Sequence, residues 1–155
     1  MVYIFLFFIM LIIDQYTKFI INTSLSVGET IPIIDDFFHL TYVENRGIAF
    51  GLFQGTIDVV SIIAICIVVA IVFYLFKNYK KINIVERLSC VMIISGAIGN
   101  LIDRFMRGFV IDMLDFRGIW SFVFNFADVW ITMGIIISIL DNLIVGYLDK
   151  KSKNN

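Results

Sequence analysis

The chain has 155 residues, 60% of them hydrophobic and 16% charged, with a mean hydropathy of +0.95. Soluble domains carry about a quarter charged residues, so this excess of Ile, Phe and Val is more than one globular core can use, and the chain reads as a membrane protein. A net charge of −1 leaves no electrostatic footprint for a nucleic-acid role, and the two cysteines have neither metal-type nor CxxC spacing.

A spanning helix takes roughly 20 mostly apolar residues, and four segments qualify: residues 2–21, 59–76, 84–102 and 126–145. The first superficially resembles a signal-peptide core. It has no basic n-region or small-x-small cleavage site and continues past Asp14, so it reads as a retained helix. Cys66 and Cys90 fall inside apolar runs and read as buried packing residues. His39, the only histidine, reads as a structural or surface residue in a loop.

The linkers are unequal. KNYKKIN after the second span and DKKSKNN at the C-terminus concentrate the basic residues: with Arg87 just past the first of them, Lys77, Lys80, Lys81, Lys150, Lys151 and Lys153 make seven of the 12 Lys and Arg. With four spans both segments share one side, which the positive-inside rule makes cytoplasmic, together with the N-terminus. Residues 22–58 and 103–125 are then extracytoplasmic. Within them, Thr30–Ile34 and residues 37–42 flank Asp35-Asp36 as a predicted hairpin, and residues 109–113 follow Gly108 as a further strand. GIAFGLF, residues 47–53, is apolar with two glycines and reads as a short element on the membrane surface.

Polar residues beside these spans are where function is expected, because charge next to hydrocarbon is costly. Asp14 and Lys18 in DQYTK lie at i,i+4 and can pair. A local ion pair with Lys18 snorkelling outward explains them as well as a site does. Asn100, Asp103 and Arg104 in GNLIDR share one helix face, which a bundle interior accepts either as a structural network or as part of a site. Asn45 and Gly47 fit a simple turn, or an amide that grips an extended peptide backbone. Asp112 and Asp128 are both placed at the outer water–lipid boundary. Two carboxylates there can share a proton, one activating a water while the other polarises a carbonyl. Alternatively Asp128 caps the fourth helix, while Asp112 and Asp115 sit in a solvated loop. A proton- or ion-coupled transporter would use the same groups as a relay, and a scaffold would use them for neither purpose.

Five blocks in order, DQYTK, NRGIAF, GAIGNLIDR, VIDMLDF and FNFAD, resemble those of the bacterial lipoprotein signal peptidases (signal peptidase type II). The resemblance implies one integral membrane domain over residues 1–155, mainly α. It would consist of four transmembrane helices, a small extracytoplasmic β-cradle and a short surface helix. The implied activity is that of an intramembrane aspartic endopeptidase without metal or other cofactor. It removes the signal peptide from diacylglyceryl-modified prolipoproteins just before the lipidated cysteine. Asp112 and Asp128 correspond to the catalytic dyad. Asp14, Lys18, Asn45, Gly47, Asn100, Asp103, Arg104, Asn125 and Ala127 correspond to supporting or substrate-binding positions. The resemblance also implies a multi-pass protein of the bacterial cell (inner or cytoplasmic) membrane, active at its outer leaflet, in contact with lipid and sensitive to globomycin-type cyclic peptides. Where the family often has a proline before the FN block, this chain has Phe122-Val123-Phe124.

Overall fold

A computed structural model describes residues 1–47 and 57–153. The elements in chain order are α1 (Val2–Ser24), β1 (Thr30–Ile34), β2 (Phe38–Asn45), α2 (Ile57–Asn78), α3 (Ile84–Arg107), β3 (Val110–Phe116), β4 (Val123–Phe124) and α4 (Phe126–Lys153). All four helices are long and apolar enough to cross a membrane. Helices α1, α3 and α4 start where expected and run on past the expected end, α3 by five residues to Arg107, while α2 extends beyond both expected limits. The GIAFGLF element falls largely on residues 48–56, outside the described residues.

The third helix is the hub, packing against α4, α1 and α2 and carrying more buried residues than any other element. Without a hydrophobic drive between helices in lipid, close approach depends on small residues at the contacts. Gly134 of α4 shows the constraint: a Cβ there would lie 2.8 Å from the Ser89 carbonyl and 2.7 Å from Ile93 Cγ1. On the opposite surfaces α1 exposes Ile4, Phe5, Phe8, Ile12 and Phe19, and α4 exposes Ile139, Leu143 and Ile144. These apolar faces fit contact with lipid, as transmembrane helices require. Cys90 is buried, but Cys66 is exposed on α2, contrary to the sequence expectation. The physical reason is that α2 is apolar on every side, so its pattern does not mark which face meets protein.

At one end of the bundle the chain leaves the helices to form an antiparallel sheet of order β1-β2-β3-β4. The predicted hairpin is present, with Asp36 at a positive φ of 59° in its turn. Helix α3 stops at Gly108, whose φ of +80° and N–H bond to the Arg104 carbonyl (3.0 Å) form a left-handed cap. That reversal sends β3 back along β2, pairing Asp112 with Val43 and Asn45 with Val110. The segment 122–124 supplies β4, paired to Leu114 and Asp115. Ile21 and Leu25 of the α1 end pack with Tyr42, Ile111, Met113 and Leu114 as the core that fixes the sheet on the bundle. A bond from Tyr42 Oη to Asn22 Oδ1 at 2.7 Å adds to this junction. His39 is buried on β2 rather than in a loop, and Asp115 is a half-buried strand residue rather than part of a solvated loop. Both differences follow from the sheet pairing, which local sequence does not reveal.

Candidate active site

The ends of α1, α3 and α4 meet beneath the sheet, and each contributes polar groups. Lys18 is 0% exposed, so its ammonium has no access to water and must be fully satisfied by the protein. Its three donors find Asp14 Oδ2 at 2.9 Å, Asp103 Oδ2 at 3.0 Å and Asn100 Oδ1 at 3.0 Å. Lys18 therefore points into the bundle, and the local pair with outward snorkelling is excluded. The carboxylates use their remaining oxygen capacity as well. Asp14 accepts the Ala127 N–H at 2.9 Å and Gln15 Nε2 at 3.0 Å. Asp103 accepts the Ile111 N–H at 3.2 Å and pairs with Arg107. Space here is tight, since a Cβ at Gly99 would lie 2.5 Å from Asp14 Oδ2. Ala127, itself 0% exposed, occupies the other side of that gap.

Asn100 connects this ion cluster to the two candidate aspartates. While its Oδ1 accepts a hydrogen bond from Lys18 Nζ, its Nδ2 donates to Asp128 Oδ1 at 2.8 Å. Asn125 then joins the aspartates to each other. Its Nδ2 donates to Asp112 Oδ1 at 2.6 Å and to Asn100 Oδ1 at 3.2 Å. Its backbone N–H donates to Asp128 Oδ2 at 3.3 Å, and its Oδ1 accepts the Asp128 N–H at 3.0 Å. That reciprocal pair is a capping box at the start of α4. Asp128 is thus both a helix cap and a member of the network.

Asp112 is 2% exposed. Asn45 Nδ2 donates to its Oδ2 at 2.9 Å, and the Asn45 Oδ1 accepts the Gly47 N–H at 3.0 Å. Asn45 thereby makes the simple turn and also orients a carboxylate. Burial, and next the neighbouring Asp128 charge, push the Asp112 carboxyl up to about 7, against the opposing pull of its two Asn donors and Lys18. Arg104 donates to the Asn100 carbonyl at 3.4 Å and lies within electrostatic reach of Asp128, Asp112 and Asp103. It supplies a fixed positive charge beside a pair of acids.

The residues matched to the family blocks, Asp14, Lys18, Asn45, Gly47, Asn100, Asp103, Arg104, Asp112, Asn125, Ala127 and Asp128, all lie in or beside this network. Gln15 and Arg107 also belong to it, although neither is assigned a role from spacing or motif. Gln15 Nε2 reaches Asp14 and the Gly99 carbonyl, at 3.0 and 3.1 Å. Position was the available signal: Gln15 adjoins Asp14 within DQYTK, and Arg107 is at i+4 from Asp103. Asp115 stands apart, accepting Thr41 Oγ1 at 2.8 Å and Arg117 Nε at 3.3 Å on the sheet. Among the described residues, no three His, Cys, Asp or Glu side chains come together as metal ligands.

Comparison with known proteins places this geometry in context. Residues 6–144 match the family described as signal peptidase (SPase) II. A lipoprotein signal peptidase from Fusobacterium nucleatum subsp. nucleatum is 64% identical over 143 residues, covering 92% of this chain and 87% of that protein. One from Clostridioides difficile is 47% identical over 136 residues, covering 88% and 90%. A bacterial membrane enzyme structure obtained by the in meso method at 2.3 Å superposes with a TM-score of 0.84 at 31% identity. That superposition covers 99% of this chain and 92% of that one.

Proposed function

The chain belongs to the signal peptidase II family, and from that premise we propose that Asp112 and Asp128 are the catalytic pair with which it cuts prolipoproteins. It is a multi-pass membrane protease of the kind that removes signal peptides from prolipoproteins. The observation that carries the dyad is Asn125, which donates to both carboxylates from one residue, by its side chain to Asp112 and by its backbone to Asp128.

Two carboxyls held this way share one proton. The ionised member takes a proton from a water, whose oxygen attacks the carbonyl carbon of the residue before the lipidated cysteine. The protonated member gives its proton to the carbonyl oxygen, producing a neutral tetrahedral diol. Collapse of the diol re-forms the C=O and breaks the C–N bond: the ionised member takes a hydroxyl proton while the protonated member gives its own to the amine nitrogen, which restores the shared proton. The products are a signal peptide with a new carboxyl and a lipoprotein with a free cysteine amine. No metal or other cofactor takes part. Asn45, Asn100 and Asn125 orient the carboxylates. Lys18, Asp14, Asp103 and Arg104 hold the surrounding charges, and Gly47 and Ala127 shape the backbone around them.

The reading extends to topology. Lys77, Lys80, Lys81, Lys150 and Lys151 lie at the bundle end opposite the sheet, so that end and both termini are cytoplasmic. The dyad then works at the outer leaflet of the bacterial cell membrane, where the diacylglyceryl chains of the substrate remain in lipid. Residues 1–155 act as one domain, and globomycin-type cyclic peptides compete for the same site.

The test is cleavage of a lipidated prolipoprotein by purified protein, read as a gel mobility shift that globomycin blocks. Asp112→Asn and Asp128→Asn should each lower the rate by at least about a thousand-fold. Wild-type rates in both variants would end the proposal.

A further inference from the structure

Far from the aspartates, at the opposite end of the bundle, α1 and α2 both pack on α3 and touch each other little. Between them lies an apolar groove of about 550 Å³, lined by Tyr3, Phe7, Val72, Phe76, Tyr79 and Ile94 among others. Across the ridge formed by Val72 and Phe76 is a second apolar groove of about 650 Å³, which includes Val68, Phe73 and Lys77. The mouth of the pair is basic. Arg87 stacks on the Tyr79 ring at 4.5 Å, its Nη2 donates to the Ile82 carbonyl at 2.8 Å, and its buried Nε has no partner. Lys77 lies 6.0 Å from the Phe73 ring, and exposed Lys80 and Lys81 follow in the α2–α3 turn. Glu86, the nearest acid in sequence, is engaged elsewhere by Ser138 of α4 at 2.9 Å.

We infer that this face is a binding site for a diacyl phospholipid with an anionic headgroup, its two tails in the two grooves and its headgroup among Lys77, Lys80, Lys81 and Arg87. Three features select that occupant. Two apolar grooves that share Val72 and Phe76 as lining match two acyl chains. Basic side chains at the headgroup level attract anionic lipid, by roughly five-fold in affinity for each residue. The same charges repel a signal peptide, whose n-region is positively charged. A lipid here fills the gap between α1 and α2 and ties down α2, which is otherwise held mainly by α3.

Native mass spectrometry of the purified chain, offered phosphatidylglycerol and phosphatidylcholine with identical acyl chains, tests the assignment. Phosphatidylglycerol should be retained at least about ten-fold better. Replacing the exposed lysines (Lys77→Gln/Lys80→Gln/Lys81→Gln) should reduce that preference to about the five-fold that Arg87 alone supplies. Lys150→Gln/Lys151→Gln, on α4, which lines neither groove, should leave it unchanged. Val72→Trp, bulk added at a half-exposed ridge position, should lower retention of both lipids. Equal retention of the two lipids by the wild-type chain overturns the inference, as does an equal loss in the Lys150/Lys151 variant. Displacement by inorganic phosphate alone would show that the grooves are not needed. Displacement by a prolipoprotein signal peptide would assign the grooves to substrate instead.

Discussion

Replacing Lys18 by Met keeps the length of the side chain and removes the charge that two buried carboxylates share. In the native protein the ammonium lies 2.9 Å from Asp14 and 3.0 Å from Asp103, with all three side chains essentially inaccessible to solvent. Removing one partner of a buried ion pair costs about 3–5 kcal/mol, because the remaining charge keeps its desolvation penalty without compensation. Asp14 would retain the Ala127 N–H and Gln15, and Asp103 would retain Arg107 and the Ile111 N–H. Those contacts keep the expected cost within that range despite the two anions left behind. For a chain of this size 1 kcal/mol moves Tm by about 2–4 °C, so Lys18→Met should melt roughly 6–20 °C lower in detergent, followed by tryptophan fluorescence. Asp14→Asn on the same background should recover part of the loss, because its amide fills the vacated donor position, giving a coupling of about 0.5–3 kcal/mol. A Lys18→Met melt within about 2 °C of wild type would refute the reasoning. Strict additivity in the double variant would refute the pairing with Asp14.

Other perturbations probe different links. The Asp112 carboxyl binds its proton more tightly in the folded protein, up to about 7, than at the ordinary value of 3.8. The native state therefore holds more protons between those values, and stability falls as pH rises from about 4 to about 7, by something on the order of 4 kcal/mol. Melting curves across that range should show this slope in wild type and a flatter one in Asp112→Asn; identical slopes would contradict it. Cleavage should decline above about pH 7 as the pair loses its shared proton, which a pH–rate profile measures. Gly99→Ala places a methyl 2.5 Å from Asp14 Oδ2, and should cost about 1–3 kcal/mol of thermal stability by overpacking. Asn125→Ala removes the α4 cap and the donor shared by both aspartates. A stability loss of about 1 kcal/mol should accompany a fall in cleavage of about a hundred-fold. Loss of stability with unchanged cleavage would mean that Asn125 is a cap and no more.

The apolar lengths, the basic turn and tail, and the β-prone hairpin were legible because they depend on local chemistry. Hydrocarbon demands about 20 apolar residues in a row, and a residue like Gly108 tolerates the left-handed φ that ends a helix wherever it occurs. The five motif blocks likewise named most of the polar site, including both aspartates, from their order along the chain. Spacing alone could not decide between a snorkelling Lys18 and a buried one. That choice rests on Asp103 and Asn100, more than eighty residues away in sequence and 3.0 Å away in the fold. Nor could it separate a capping Asp128 from one in the polar network, because Asp128 caps α4 with Asn125 and also accepts Asn100 Nδ2. The grooves of α2 were also hidden, since an all-apolar helix carries no periodic mark of which face meets protein and which meets lipid. Sequence set which groups are too costly to leave alone in a membrane. Tertiary structure decided which partners compensate them, because a buried charge is stabilised only by groups brought within hydrogen-bond distance, and packing alone fixes those distances.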